Sequence, residues 1–276
     1  MKFALEKQLH REDAIIAIGG GVVGDLAGFA ASTYMRGIKY IQIPTTLLAS
    51  TDSSVGGKTA VNSKFGKNMI GTFYQPNAVF INVNFLKTLD EKQYKSGLGE
   101  VVKYAFIEKS CQCDENLNLM NFLSENYEKI LKRDILTLRE LIEMCVKLKI
   151  SVVNKDEKES GLRQILNFGH TFGHAVEKIT NYRKYTHGQC VAYGVANAIT
   201  AAFKLGKIDK EYKFLCEDLI KKFDFAQIQN FPQSKILNAM SADKKVSDGK
   251  IKLVLPVDYA RVEVFEFTPE ELKEIL

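Results

Sequence analysis

An apolar run, Ala14-Ile15-Ile16-Ala17-Ile18, stops at three consecutive glycines, Gly19, Gly20 and Gly21, and a helix-like stretch, Val22-Val23-Gly24-Asp25-Leu26-Ala27-Gly28-Phe29, follows at once. No other segment constrains the fold as tightly, because a strand that turns into a helix through glycine is the opening of a βαβ unit in a parallel sheet. Glycine lets the backbone approach a pyrophosphate closely, and the N–H groups of the following helix then point at the anion. Asp25 would face the same ligand from the first helical turn. The spacing is GGGxxGD and not GxGxxG, and the next strand-like segment, Ile38-Lys39-Tyr40-Ile41-Gln42-Ile43, offers no acidic residue for a ribose. Taken alone, the turn is equally well a plain strand-to-helix connection.

Two more strands are expected, at 38–43 and 78–83, with helices between them. Near residue 90 the texture changes from short β-branched runs to long segments of helical periodicity, which predicts two domains, 1–90 and 91–276. Helices are expected over 91–108, around 130–153, over 161–179 and over 188–205. The second of these carries Ile135, Leu138, Leu141, Ile142, Cys145 and Leu148 at three-to-four spacing. Two further strands, 250–255 and 262–267, are expected near the end, the first after a Ser247-Asp248-Gly249 turn. A chain of 276 residues, 46% apolar, buries a sizeable core. No apolar stretch approaches the ~20 residues that span a bilayer, and the first residues show no signal-peptide pattern, so a soluble, cytoplasmic protein is expected. Five cysteines without paired CxxC spacing fit reduced thiols. A net charge of +5, spread along the chain, argues against nucleic-acid binding and is compatible with a small anionic substrate.

Histidine carries the strongest chemical signal. The chain has four, and three of them, His170, His174 and His187, fall within one short window. His170 and His174 are four apart, on one face of a helix, with Gly169 and Gly173 on a neighbouring edge open to another backbone or a ligand. Two imidazoles and a carboxylate are a common ligand set for catalytic zinc. The candidate carboxylate is Glu100, in Gly97-Leu98-Gly99-Glu100-Val101-Val102-Lys103. Lys103 shares its face, and a solvated ion pair is the plainer reading of those two alone. The polar segment 44–60 reads as a site wall. Its Gly56-Gly57-Lys58-Thr59 lacks the earlier glycine of a phosphate loop, so Asp52 and Lys58 read as separate polar contacts. Lys67, Asn68, Lys149, Lys155 and Arg163 are candidate partners for a phosphate or carboxylate.

Together, Gly19-Gly20-Gly21-Val22-Val23-Gly24-Asp25, the 44–60 segment, Gly66-Lys67-Asn68, Gly99-Glu100-Val101-Val102-Lys103 and Leu166-Asn167-Phe168-Gly169-His170-Thr171-Phe172-Gly173-His174 resemble the 3-dehydroquinate synthase family. The resemblance runs from about Asp13 to the C-terminus. It implies an α/β fold: a partial Rossmann-like parallel-sheet domain, then a mostly α-helical metal-binding domain. It also implies the shikimate-route conversion of 3-deoxy-D-arabino-heptulosonate 7-phosphate into 3-dehydroquinate and phosphate, with NAD used catalytically and zinc or cobalt bound. By position, Glu100, His170 and His187 would hold the metal. Gly20, Gly21, Val22, Val23, Gly24, Asp25, Thr45, Thr46, Lys58, Lys67 and the run Phe85, Leu86, Lys87, Thr88 would contact NAD. Asp52, Lys58, Asn68, Lys103, Lys149, Arg163, Asn167, His174 and Lys245, beside Lys244, match substrate-contacting positions. Arg36 matches one that reaches the substrate of the other subunit, which implies a homodimer. Gln189 stands where the family usually has Glu, next to the third metal ligand. Family members carry further βα units ahead of the glycine turn, so the adenosine side of the cofactor site is expected to be missing and strand edges exposed. The alternatives are another sugar-phosphate cyclase, a metal-dependent polyol dehydrogenase and an inactive truncated remnant.

Overall fold

The computed structural model describes residues 1–64, 66–241 and 249–276. A short helix α1 (Lys2–Glu6) is tied down by the Tyr34 hydroxyl, which donates to the Ala4 and Leu9 carbonyls at 3.2 and 3.0 Å. The glycine turn then does what its sequence predicts. Strand β1 (Ala14–Gly19) ends there, α2 (Gly21–Thr33) runs back, and β2 (Lys39–Pro44) pairs parallel to β1 from Ala14 opposite Lys39 to Gly19 opposite Pro44. The segment 44–60 that follows is less open than its polarity suggests. Ala49–Ser53 forms a wide helical turn, and Thr51 and Ser54 are fully buried.

An antiparallel hairpin, β3 (Lys58–Ser63) and β4 (Gly66–Phe73), comes next and packs across α2. No sequence pattern announced it. The chain then returns to the sheet as β5 (Ala78–Val79), parallel to β2, giving the order β1-β2-β5. The strand expected over 78–83 is thus only two residues long, and Val83–Lys87 is a 3-10 turn. β1 is an edge strand of this sheet, and Ile16 and Ile18, with Val22 and Leu26 of α2, are exposed.

Beyond residue 90 the chain is mostly helical. Helix α3 (Glu91–Ile107) starts at Asp90, whose carboxylate accepts from the Lys92 and Gln93 N–H groups at 2.9 and 3.2 Å. The helix expected around 130–153 is shorter at its start, as α5 (Ile135–Lys155), and a helix that was not expected, α4 (Leu119–Leu131), precedes it. Arg133 is left-handed between them (φ 59°), and Asp134 caps the second. The helix expected over 161–179 is also interrupted. Leu162–Asn167 is a 3-10 segment, Gly169 is left-handed (φ 77°), and α6 (His170–Ile179) begins at the first histidine. α7 (His187–Lys204) begins at the third, after a capping box between Thr186 and Gln189. Helices α8 (Lys210–Lys222) and α9 (Gln233–Ser241), the antiparallel pair β6 (Ile251–Asp258) and β7 (Arg261–Phe267), and α10 (Pro269–Ile275) complete the unit.

Two apolar clusters form the core. A small one gathers Ala17, Ala31, Tyr34, Ile38 and Tyr40 beneath the sheet, and a large one joins α3 to α10 and reaches back to Leu47 and Leu86. Within the large cluster α3 and α7 cross with almost no side chain between them. A Cβ on Gly99 would collide with the Gly188 carbonyl, and one on Gly188 with the Ser96 carbonyl. That crossing sets His187 beside Glu100.

Candidate active site

Glu100 lies at the centre of the site and is 1% exposed. Its Oε2 is 2.6 Å from Lys103 Nζ, and its Oε1 is 3.2 Å from His170 Nε2 and 3.1 Å from His187 Nε2. Lys103 is as deeply buried, so this is no solvated pair. Burial pushes the Glu100 carboxyl upward, but Lys103 and His170 outweigh it and hold it well below the usual carboxylate range.

The His170 ring supplies the test for a metal. Its Nδ1 is 3.1 Å from the Phe168 carbonyl and its Nε2 is 3.2 Å from Glu100 Oε1, and both of those oxygens can only accept. Burial, against the pull of Glu100, pushes the ring down to about 4, and it is neutral near pH 7. A neutral ring carries one proton for two acceptors, and in the tautomer that donates from Nδ1 to Phe168 the Nε2 lone pair faces those of Glu100 Oε1. Two acceptors pointed at each other repel unless a cation lies between them. The ligating atoms of Glu100, His170 and His187 all lie within 4.8 Å of one another, and one carboxylate with two imidazoles suits zinc or cobalt. The donor set fits the expected metal.

A cavity of about 510 Å³ opens beside these three residues. Asp52, Lys58, Asn68, Lys103, Lys149, Arg163, Asn167 and His174 all line it, as does Asp25. Asp52 sits on the wide turn. It accepts from the Tyr104 hydroxyl at 2.5 Å, and its Oδ1 is 3.0 Å from Lys149 Nζ and 4.0 Å from Lys103 Nζ. Burial raises the Asp52 carboxyl, but Lys149 and Lys103 draw it down to about 2. Burial lowers Lys149 despite that carboxylate. Arg163 is 1% exposed and donates to the Gly56 carbonyl at 2.9 Å and to that of Glu157. Its buried Nε–H has no acceptor among the described residues. Lys58 pairs with Glu159, which also accepts from Asn167 Nδ2 at 2.7 Å. A cavity of about 600 Å³ lies elsewhere, between α8 and the β6–β7 turn, and contains none of these residues.

Other sequence-predicted residues stand outside this wall. The Thr45 N–H donates to the Gly19 carbonyl at 2.9 Å, and Thr46 packs over Gly20. The glycine turn and these threonines thus crest the carboxyl ends of β1 and β2, where open parallel sheets take ligands. Lys67 is half exposed, 3.3 Å from Glu177 Oε1. Leu86 is buried in the helical core, while Phe85, Lys87 and Thr88 are exposed. Arg36 is exposed in the turn after α2. Lys155 reaches the Gln112 carbonyl and not the cavity. Lys244, Lys245 and most of the 247–249 turn lie outside the described residues. Gln189 accepts from the Thr186 N–H at 2.8 Å within its capping box.

Models of the 3-dehydroquinate synthase N-terminal and C-terminal domains match residues 1–96 and 97–246. A 3-dehydroquinate synthase of Dictyoglomus thermophilum is 48% identical over 266 residues, 96% of this chain and 73% of that protein. The chain belongs to the 3-dehydroquinate synthase family. Among solved structures, 2-deoxy-scyllo-inosose synthase complexed with carbaglucose-6-phosphate, NAD+ and Co2+ is 27% identical with a TM-score of 0.84, over 99% of this chain and 76% of that one. The 2-epi-5-epi-valiolone synthase of Streptomyces hygroscopicus subsp. jinggangensis 5008, with NAD+ and Zn2+ bound, shares the fold (TM-score 0.88, 24% identity, 99% of this chain and 75% of that one).

Three residues of this family member escaped the sequence reading: Tyr104, Glu159 and Glu177. Glu177 Oε1 lies 3.3 Å from His187 Nδ1. Its signal was available, because it follows His174 by three on the same face of α6. Tyr104 and Glu159 meet partners 52 and 101 residues away, and no local spacing encodes that.

Proposed function

We propose that this chain carries out the family reaction, converting 3-deoxy-D-arabino-heptulosonate 7-phosphate into 3-dehydroquinate and phosphate, as expected from the motifs. One observation carries the reading: a cavity lined by Lys58, Lys103, Lys149 and Arg163 abuts the buried Glu100, whose Oε1 is within 3.2 Å of Nε2 of both His170 and His187. So many cations in one cleft suit a substrate bearing phosphate and carboxylate, not a neutral polyol.

Bound zinc or cobalt would supply Lewis acidity toward a substrate hydroxyl, and bound NAD a hydride acceptor. The protein's own groups do the rest. Oxidation of a hydroxyl acidifies the neighbouring C–H, and loss of that proton lets phosphate leave. Return of the hydride to the same carbon, ring opening and an aldol closure would then give dehydroquinate with no net change in NAD. Lys103, Lys149 and Arg163 stabilise the enolate and phosphate charges that develop. Asp52 keeps two of those ammonium groups in place. The Arg163 Nε–H, without an acceptor among the described residues, is a ready donor to an anion. His174 and Asn167 also line the cavity and would orient hydroxyls. The substrate phosphate can accept the proton itself, so no dedicated base is needed.

The remaining assignments belong to the same proposal. The glycine turn with Thr45, Thr46, Lys58, Lys67 and 85–88 would hold NAD, Lys245 would join the substrate site, and Arg36 would serve the other subunit of a homodimer. The division at residue 90 is supported by the two separate apolar clusters. A cytoplasmic location is compatible with the lack of any helix, among the described residues, long and apolar enough to cross a membrane. The test is a balance of products: with the heptulosonate phosphate, NAD and zinc, phosphate and dehydroquinate should form in equal amounts with no net NADH. Net NADH from a polyol, without phosphate release, would replace this reading with a dehydrogenase.

A further inference from the structure

The first cluster uses only one nitrogen of the His187 ring. The other, Nδ1, is 3.3 Å from Oε1 of the buried Glu177. His174, one turn before Glu177 on α6, completes a second set, and the ligating atoms of His174, Glu177 and His187 again lie within 4.8 Å of one another. The His174 and His187 rings are stacked, with centroids 6.1 Å apart and planes 30° apart. The donor chemistry repeats that of the first cluster: two imidazoles and a carboxylate. A positive charge already sits there. Lys67 Nζ is 3.3 Å from the same Glu177 oxygen and 4.2 Å from the centroid of the Tyr182 ring.

We propose that His174, Glu177 and His187 Nδ1 form a second, weaker site for a divalent transition metal, back to back with the first across the His187 ring and in competition with the Lys67 ammonium. The incoming cation takes the place of the proton that Nδ1 shares with Glu177, and that proton passes to water. Zinc and cobalt suit such a nitrogen-rich set, whereas magnesium prefers oxygen ligands and keeps its waters. Occupancy would withdraw His174 and Lys67 from the substrate and cofactor sides, so excess metal slows turnover. The inference goes beyond the proposed reaction, because metal binding is read directly whether or not that reaction is right.

Calorimetric zinc titration of chelator-stripped protein, with bound metal measured after dialysis, tests it. Two steps are expected in the wild type, and magnesium should give no second step. His174→Ala should remove the weaker step and keep the tighter one. Glu177→Gln should also remove the weaker step. Lys67→Met, a change at a half-exposed side chain that leaves the core alone, should tighten the weaker step about ten-fold, the effect of removing one neighbouring like charge. A structural role for these residues would not produce that gain. A single step in the wild type, a weaker step unchanged in His174→Ala or in Lys67→Met, or equal filling by magnesium would overturn the proposal.

Discussion

Asp25 lies between two environments, the glycine turn and the cavity wall, and its carboxyl shows the strain. Burial pushes it up from 3.8 to about 6; Lys149 draws it down and Asp52 repels it further upward. A carboxyl raised on folding binds its proton more tightly in the folded state, so its contribution is most favourable below pH 3.8 and is lost as pH rises through about 6. Asp25→Asn should therefore stabilise ligand-free protein at pH 8 by about 1–2 kcal/mol after allowance for its partial exposure, raising its melting temperature, and the gain should vanish near pH 4. Thermal denaturation at the two pH values checks this, and an equal gain at both would contradict it. At this scale much of the site was legible, since His170, His174 and Glu100 announce themselves by residue type and spacing. Their environment was not. Glu100 and Lys103 read as a surface pair because nothing in their own helix reveals that α7 covers them.

The elements meet where side chains are smallest. Gly188 follows His187 at the start of α7, and its N–H donates to Ser96 Oγ at 3.1 Å. Gly188→Ala would force the two helices apart, so a loss of about 3 kcal/mol is expected, together with weaker zinc binding because His187 moves away from Glu100. Melting temperature and metal content measured on one preparation check both. Retention of both would mean that the crossing does not set the site. The elements that the sequence disclosed are those whose periodicity and boundaries agree, such as β1, α2, α3 and α7. Helix α4 was not legible, although Leu119, Met120, Leu123 and Ile130 are buried, because the polar run Ser124-Glu125-Asn126 interrupts their spacing. The β3–β4 hairpin was hidden as well. Almost every β4 residue is exposed, which leaves no alternation to detect.

The whole molecule places a small sheet unit over a large helical one, with the cavity drawing walls from both. One edge of its parallel sheet is β1, where Ile16 and Ile18 are 56% and 60% exposed. An edge strand with apolar side chains is a template for pairing with another chain. Replacing both by Thr should lower light scattering of concentrated protein and cost under about 1 kcal/mol of stability, since neither side chain leaves a packed core. Unchanged scattering would mean that this edge does not drive association. The function of the whole molecule rests on one proposed reaction, phosphate elimination at Glu100, His170 and His187 with the cations beside them. It is tested most directly by stripping the protein with chelator, restoring zinc stepwise in the presence of NAD and the heptulosonate phosphate, and following phosphate release. Release is expected to rise in proportion to bound zinc up to one equivalent, with none from Glu100→Gln at any zinc level. Full release without metal, or restoration by zinc in Glu100→Gln, would contradict it.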